Sequence, residues 1–219
     1  MNQNIYSQQE WNAYALAHQS VMPSVMFELN QAVASMMRGH VLDCGCGSAK
    51  IAPFVLEQPQ VTHYTGVDYS KEMVDRARWM LEQFPGKPSE IIHAKIEHSV
   101  INHPVDSCLS INSYYAWDNP QTVLAWIYAI MQPGSLFVFA TPNRSLNMKR
   151  LLTTLDKELI AHPYYPEFQR MNLDFCDNPR ALFVDMDDMI KQVQSVGFRV
   201  KEVHQRYYLG GLNFLQLTK

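Results

Sequence analysis

Val41-Leu42-Asp43-Cys44-Gly45-Cys46-Gly47-Ser48-Ala49 is the stretch on which the fold turns: an apolar run closes on an acid, and two glycines follow with one residue between them. A short apolar run bounded by turn residues reads as a buried strand. Glycines after its carboxyl end let the backbone approach a ligand where open α/β sheets bind. A dinucleotide fingerprint would need a third glycine at position 50, which is Lys50, and no acid at the strand end, where Asp43 stands. No Gly-Lys-Ser/Thr run follows, which excludes a phosphate-binding P-loop. Cys44 and Cys46 lack a second pair of ligands, so they read as small residues in a crowded loop, and no metal is expected.

Outward from this turn, short apolar runs alternate with helical periodicity. Residues 61–68, 91–92, 105–111 and 135–141 read as further strands. Between them, 50–57 reads as a helix with Pro53 in its first turn, and Ser70 caps a helix whose apolar face is Met73, Ala77, Met80, Leu81 and Phe84. Asn119 followed by Pro120 opens another, with Val123, Leu124, Ile127 and Met131 on its buried face. A helix over 185–196 precedes two strands, 198–207 and 212–218, joined as a hairpin at Gly210-Gly211. The pattern predicts an α/β fold: a doubly wound, mostly parallel sheet with an antiparallel edge. Residues 1–39 and 142–184 fall outside the alternation, as elaborations of one domain spanning 1–219.

Composition narrows the function. With 219 residues, 47% hydrophobic and 18% charged, the chain is long and apolar enough to bury a core without disulfide or metal staples. Its net charge of −3 and the absence of a basic stripe disfavour nucleic acid as a partner. Four cysteines are too few for a disulfide framework and point to a reducing, cytoplasmic setting. The first Lys or Arg is Arg38, so neither a secretory nor a mitochondrial leader is expected. The uncharged stretch 119–143 is broken by Pro120 and by Gln132-Pro133-Gly134, so no membrane span is expected.

A second signal is Gly66-Val67-Asp68-Tyr69-Ser70, which sets Asp68 at a strand end, 21 residues beyond Gly47, where an acid can accept hydrogen bonds from both hydroxyls of a ribose. Together the two stretches resemble the class I S-adenosylmethionine-dependent methyltransferases, whose opening pattern is acid-x-Gly-x-Gly-x-Gly. Here Asp43, Gly45 and Gly47 stand in place, with Ala49 at the last position. Lys71-Glu72-Met73 with Ala77-Arg78, Met131-Gln132-Pro133-Gly134 before the fifth strand, and Val196-Gly197-Phe198 before the closing hairpin extend the likeness over roughly 40–219. The resemblance implies a Rossmann-like sheet of seven strands in the order 3-2-1-4-5-7-6, the last antiparallel. It implies S-adenosylmethionine as cofactor, with S-adenosylhomocysteine as product. It further implies that Gly45, Cys46 and Gly47 sit against the methionine portion with Asp43 nearby, that Asp68 holds the ribose, and that Tyr69 and Met73 flank the adenine. Ile96 would touch the adenine; where the family often places an acid beside its amino group this chain has Lys95, with Glu97 beyond. Asn112 and Ser113 would face the methionine moiety.

The acceptor is less defined. Asn112-Ser113-Tyr114-Tyr115 lacks the two prolines of the Asn/Asp-Pro-Pro-Tyr/Phe pattern found in methyltransferases of exocyclic amines. Tyr115, Trp117 and Asp118 follow the fourth strand directly and are candidate acceptor contacts, with Asp118 equally readable as a helix cap. The segment 1–39 is expected to form a helical lid carrying Tyr6, Trp11, Tyr14 and His18, and 142–184 a second, aromatic-rich lid. Tyr14 is a further acceptor-contact candidate, and His18 and His162 are the candidate general bases. The expected function is methyl transfer to a small-molecule acceptor. RNA or protein methylation, or a non-catalytic role as an S-adenosylmethionine-binding sensor or partner, stand as alternatives. A homodimer is compatible with the sequence.

Overall fold

The computed structural model describes residues 7–219; Tyr6, expected on the first helix, lies outside them. Seven strands, β1 (Gly39–Cys44), β2 (Val61–Asp68), β3 (Ser89–His93), β4 (Val105–Ile111), β5 (Met131–Pro142), β6 (Arg199–His204) and β7 (Leu212–Thr218), form one sheet in the order β3-β2-β1-β4-β5-β7-β6. The first five run parallel, and β7 pairs antiparallel with both β5 and β6. This is the expected doubly wound Rossmann-like sheet with its antiparallel seventh strand.

Period-two alternation along the strands divides the core into two layers. Val41, Leu109, Val138 and Phe214 pack on one face, beneath α1 (Gln8–Ser20), α2 (Ser24–Ala34), α3 (Ala52–Leu56) and α4 (Lys71–Glu82). Their neighbours Leu42, Cys108, Phe137 and Leu215 point the other way, onto α5 (Pro120–Ile130) and α8 (Met186–Ser195). The segment after β5 folds as two helices, α6 (Met148–Leu159) and α7 (Tyr165–Asp177), which join the first layer. In α6, Met148, Leu151, Leu152, Leu155 and Leu159 form the buried stripe, at the spacing an amphipathic helix requires.

Several boundaries differ from the sequence expectation, β3 spanning Ser89–His93 rather than 91–92 among them, and three have a local reason. β5 starts at Met131 rather than 135, because Val105 pairs with Met131 before the register shifts, and Gly134 takes a φ of +79° there. β6 stops at His204 because the chain then turns through Tyr208 and Leu209, both left-handed, with φ of 53° and 56°. The helix expected from 50 begins at Ala52, since the preceding residues are still in the turn after β1.

The N-terminal helix is held by specific polar contacts. Ser7 and Glu10 form a reciprocal capping box at its start. Asn12 Oδ1 accepts from Ser70 Oγ at 2.7 Å and from the Glu72 amide at 3.3 Å, at the start of α4. Further along α1, Arg76 of α4 donates to Gln19 at 3.0 Å, and Tyr14 contacts α7 through Phe168 and through Asn172, which donates to its hydroxyl at 3.1 Å. The helix thereby bridges α4 and α7 over the carboxyl ends of β1 and β2. Among the described residues no helix is long and apolar enough to cross a membrane.

Candidate functional site

One cavity opens at the carboxyl edge of the sheet, beside β1, β2 and β4. Its floor is the turn after β1. Gly45 and Gly47 take left-handed φ angles of +79° and +54°, which glycine adopts without penalty. Ala49 holds φ of 55° in the same turn, where a side chain costs roughly 1–2 kcal/mol. A Cβ at Gly45 would lie 2.4 Å from Ser113 Cβ. Ser113 cannot easily retreat: its hydroxyl donates to the Cys44 carbonyl at 2.9 Å, pairs with Ser110 Oγ at 2.7 Å and accepts from Trp117 Nε1 at 3.1 Å. Gly45→Ala therefore combines overpacking with a strained φ, together about 3 kcal/mol. At roughly 2–4 °C per kcal/mol for a chain of this size, differential scanning calorimetry should show a thermal midpoint lowered by about 6–12 °C.

Two acids face this floor. Asp43 is 2% exposed and accepts from Tyr64 Oη at 2.7 Å. Burial pushes its carboxyl up to about 7, against the opposing hydrogen bond from Tyr64. Asp68 accepts from the Gly47 amide and the Ser70 amide, both at 2.9 Å. Burial raises its pKa as well, and those amides hold it back. Ser70 still caps α4, its hydroxyl accepting from the Met73 amide, so Asp68 is not needed as the cap. Asn112, at the end of β4, is held left-handed with φ of 54°; its amide donates to Tyr208 Oη at 2.8 Å, while Oδ1 has no hydrogen-bond partner among the described residues.

Of the residues singled out from sequence, Asp43, Gly45, Cys46, Gly47, Asp68, Tyr69, Met73, Ile96, Glu97, Asn112 and Ser113 all line this cavity, as do His18, Tyr14, Tyr115, Trp117 and Asp118. His18 lies against the turn, with its Nδ1 3.0 Å from Ser48 Oγ, and a Cβ at Gly47 would stand 3.1 Å from its Cε1. Burial, and then the neighbouring Lys50 charge, hold its pKa well below the ordinary histidine value. Tyr115 packs between Trp11 and Phe175, at ring-centroid distances of 6.4 and 4.0 Å.

Two expectations need correction in detail, for His162 and for Asp118 as a cap, and Trp117 lines the cavity with its ring more tightly held than expected. His162 does not line the cavity. It sits in the turn between α6 and α7, where Nδ1 accepts from the Tyr164 amide, while the apolar faces of those helices form the cavity wall. The Trp117 ring is committed to the core, stacked on Phe139 at 5.6 Å and 5°, with its Nε1 bound to Ser113. Asp118 is not the cap of α5, since Asn119 performs that role by accepting from the Thr122 amide. Asp118 instead forms an ion pair with Lys95 through Oδ2 and leaves Oδ1 without a partner among the described residues.

Sequence reasoning missed the far side of the cavity. Met26 of α2, Leu151 and Leu155 of α6, and Met171 of α7 supply an apolar wall, and Tyr208 closes it from the turn before β7. Lys50, read only as the glycine a dinucleotide site lacks, is 6% exposed and also lines the cavity.

Residues 21–203 match a methyltransferase domain family. A malonyl-[acyl-carrier protein] O-methyltransferase of Hamiltonella defensa subsp. Acyrthosiphon pisum (strain 5AT) is 22% identical over 194 residues, 81% of this chain and 70% of that protein. Among solved structures, an S-adenosylmethionine-dependent methyltransferase from Aquifex aeolicus superposes with a TM-score of 0.62 at 14% identity, covering 97% of this chain and 98% of that one. The mycolic acid cyclopropane synthase CmaA1, complexed with SAH and CTAB, gives a TM-score of 0.64 at 14% identity over 89% of this chain and 84% of its own.

Proposed function

The chain belongs to the methyltransferase domain family, and on that footing we propose that it methylates a small, partly apolar molecule bound between the glycine turn and the wall formed by α6 and α7. It is an enzyme that uses S-adenosylmethionine. The residues around the turn fit that cofactor. The buried carboxylate of Asp43, the half-buried one of Asp68 and the orphan Oδ1 of Asn112 make a wall short of donors and positive charge. A ligand bearing an amino group, a sulfonium and ribose hydroxyls supplies both.

When bound, S-adenosylmethionine supplies a sulfonium methyl, an electrophile whose transfer needs chiefly a nucleophile held close, in line and away from water. The roles of the protein groups follow from that need. Asp68 would bind the ribose, and Asp43 with Asn112 the methionine end. Tyr69, Met73 and Ile96 would enclose the adenine. The helices α1, α6 and α7 would exclude water above the acceptor, which Tyr14 and Tyr115 contact. The observation that carries the reading is this single cavity, polar at the turn and apolar opposite it. The mycolic acid in the name of the cyclopropane synthase agrees with an acceptor that has an apolar body.

His18 would act as the general base for an acceptor that must lose a proton. Because its pKa lies well below the ordinary value, the ring is neutral and able to accept a proton throughout pH 7–8. His18→Ala is expected to lower kcat about a hundredfold, with the KM for S-adenosylmethionine nearly unchanged, and wild-type kcat should be flat across pH 7–8. Incubation with methyl-labelled S-adenosylmethionine and a panel of lipophilic alcohols, amines and acids tests the acceptor reading. Label should pass to at least one small acceptor. Label that passes only to tRNA or rRNA, with steep salt dependence, would overturn it.

A further inference from the structure

The apolar half of the cavity contains one cation. Lys50 leaves the glycine turn and extends between the two helical elaborations. Its Nζ lies 3.4 Å from Met26 Sδ of α2 and 5.9 Å from the centroid of Phe168 on α7. It donates to the carbonyl of Val21 at the end of α1 and to the Met26 thioether, and makes no ion pair among the described residues. The surrounding elements present no anion to it. On α1 the facing titratable groups are His18 and Tyr14, on α2 stand Met26 and Asn30, and on α6 and α7 the lining includes Leu151, Leu155, Phe168 and Met171 and no carboxylate. Asp43 and Asp68, across the cavity, are engaged by Tyr64 and by the Gly47 and Ser70 amides.

An ammonium has three donors, so a buried one with one carbonyl and one weak thioether acceptor is under-satisfied. Were Lys50 only a clasp for the end of α1, a surface lysine capping from outside would serve without the desolvation. We propose that Lys50 is the acceptor-anchoring residue of this cavity, and that it selects molecules carrying a carboxylate on an apolar body. The proposal rests on the small-acceptor reading and deepens it. The carboxylate is a handle that fixes the acceptor, with the reacting atom elsewhere on the molecule. Desolvation pulls the Lys50 pKa down to about 7, so without an anion the amine is largely uncharged above neutral pH. A bound carboxylate favours the charged form and raises that pKa, so binding at pH 8 draws in a proton.

The test is calorimetric, on the full chain loaded with S-adenosylhomocysteine, using octanoate and octanamide as matched probes. Octanoate should bind about tenfold to a hundredfold more tightly than octanamide at pH 6.5, the range expected of one charge-assisted hydrogen bond. The advantage should shrink at pH 8.5. At pH 8 the octanoate enthalpy should vary with the ionisation enthalpy of the buffer, reporting proton uptake, and the octanamide enthalpy should not. Lys50→Met should erase the preference and the uptake together. Because losing the contact to Val21 could loosen α1, the wild-type buffer dependence provides a readout that needs no variant. Equal binding of the two probes by wild type overturns the role of Lys50 while leaving the small-acceptor reading standing. Binding of neither probe overturns both, and absence of S-adenosylhomocysteine binding at the loading step bears on the cofactor site alone.

Discussion

Asp43→Asn should make the ligand-free protein more stable at pH 8, raising its thermal midpoint by roughly 4–8 °C, while weakening S-adenosylhomocysteine at least tenfold. Burial is the reason for both. The carboxyl rises from 3.8 to about 7 in the folded chain. The unfolded chain therefore releases this proton first, and between those values the folded state retains what the unfolded state has lost. The associated stability is complete below pH 4 and is lost as pH rises through 7. A rise of about three units corresponds to roughly 4 kcal/mol at most. Asparagine still accepts from Tyr64 but brings an amide donor into a buried place, at a cost of about 1–3 kcal/mol. The net gain is near 2 kcal/mol, and about 2–4 °C per kcal/mol gives the stated shift. Fluorimetric melts of both proteins should diverge as pH rises from 4 to 7 and run parallel above that. Curves that stay parallel from pH 4 to 7 would show that Asp43 is not the group responsible. The affinity loss follows because the same charge, costly when the cavity is empty, would pair with the ammonium of the bound homocysteine end.

Asp68→Ala should reduce S-adenosylhomocysteine affinity by two orders of magnitude or more. Each carboxylate oxygen already accepts one backbone amide, from Gly47 and from Ser70, and each keeps a lone pair for a ribose hydroxyl. Removing the group leaves two amides unpaired beside the cavity and deletes the ligand contact at once. Asp68→Asn separates these effects, since it keeps one acceptor; it should fold normally and lose only about tenfold. The check is calorimetric titration, supported by the thermal upshift that saturating ligand gives the wild type. An alanine variant that melts like wild type and is still stabilised equally by ligand would overturn the assignment of Asp68.

The central sheet could be read from residues because β1, β4 and β5 carry a local signature, an apolar run closed by a glycine or an asparagine, and β2 runs into the Ser70 cap; β6, with Arg199, Lys201 and Glu202, carries none. The cofactor side of the cavity was legible for the same reason, since Asp43, Gly45, Gly47 and Asp68 lie within a few residues of two strand ends. The acceptor side was not. Leu151, Leu155 and Met171 are ordinary apolar residues of amphipathic helices, and only tertiary packing turns their faces toward Gly47. Trp117 was legible only in part: it lines the cavity as its place after β4 suggested, while its ring stacks on Phe139 and its Nε1 donates to the Ser113 hydroxyl, which no sequence pattern shows. Lys50 was passed over because a pattern search asks which residue is missing, and no pattern asks how far a lysine has been taken from water.

The contact of Asn12 with the start of α4 has a kinetic consequence. Ser70 donates its hydroxyl to Asn12 and its amide to Asp68, so the helix that roofs the cavity and the carboxylate proposed to hold the ribose share one residue. Under the proposed reading, a lift of α1 breaks the Asn12 contacts to Ser70 and Glu72 while Ser70 still donates its amide to Asp68. Were that lift the route by which cofactor exchanges, turnover would be bounded by the rate at which thirteen residues of helix come away from α4 and α7, however fast the methyl moves.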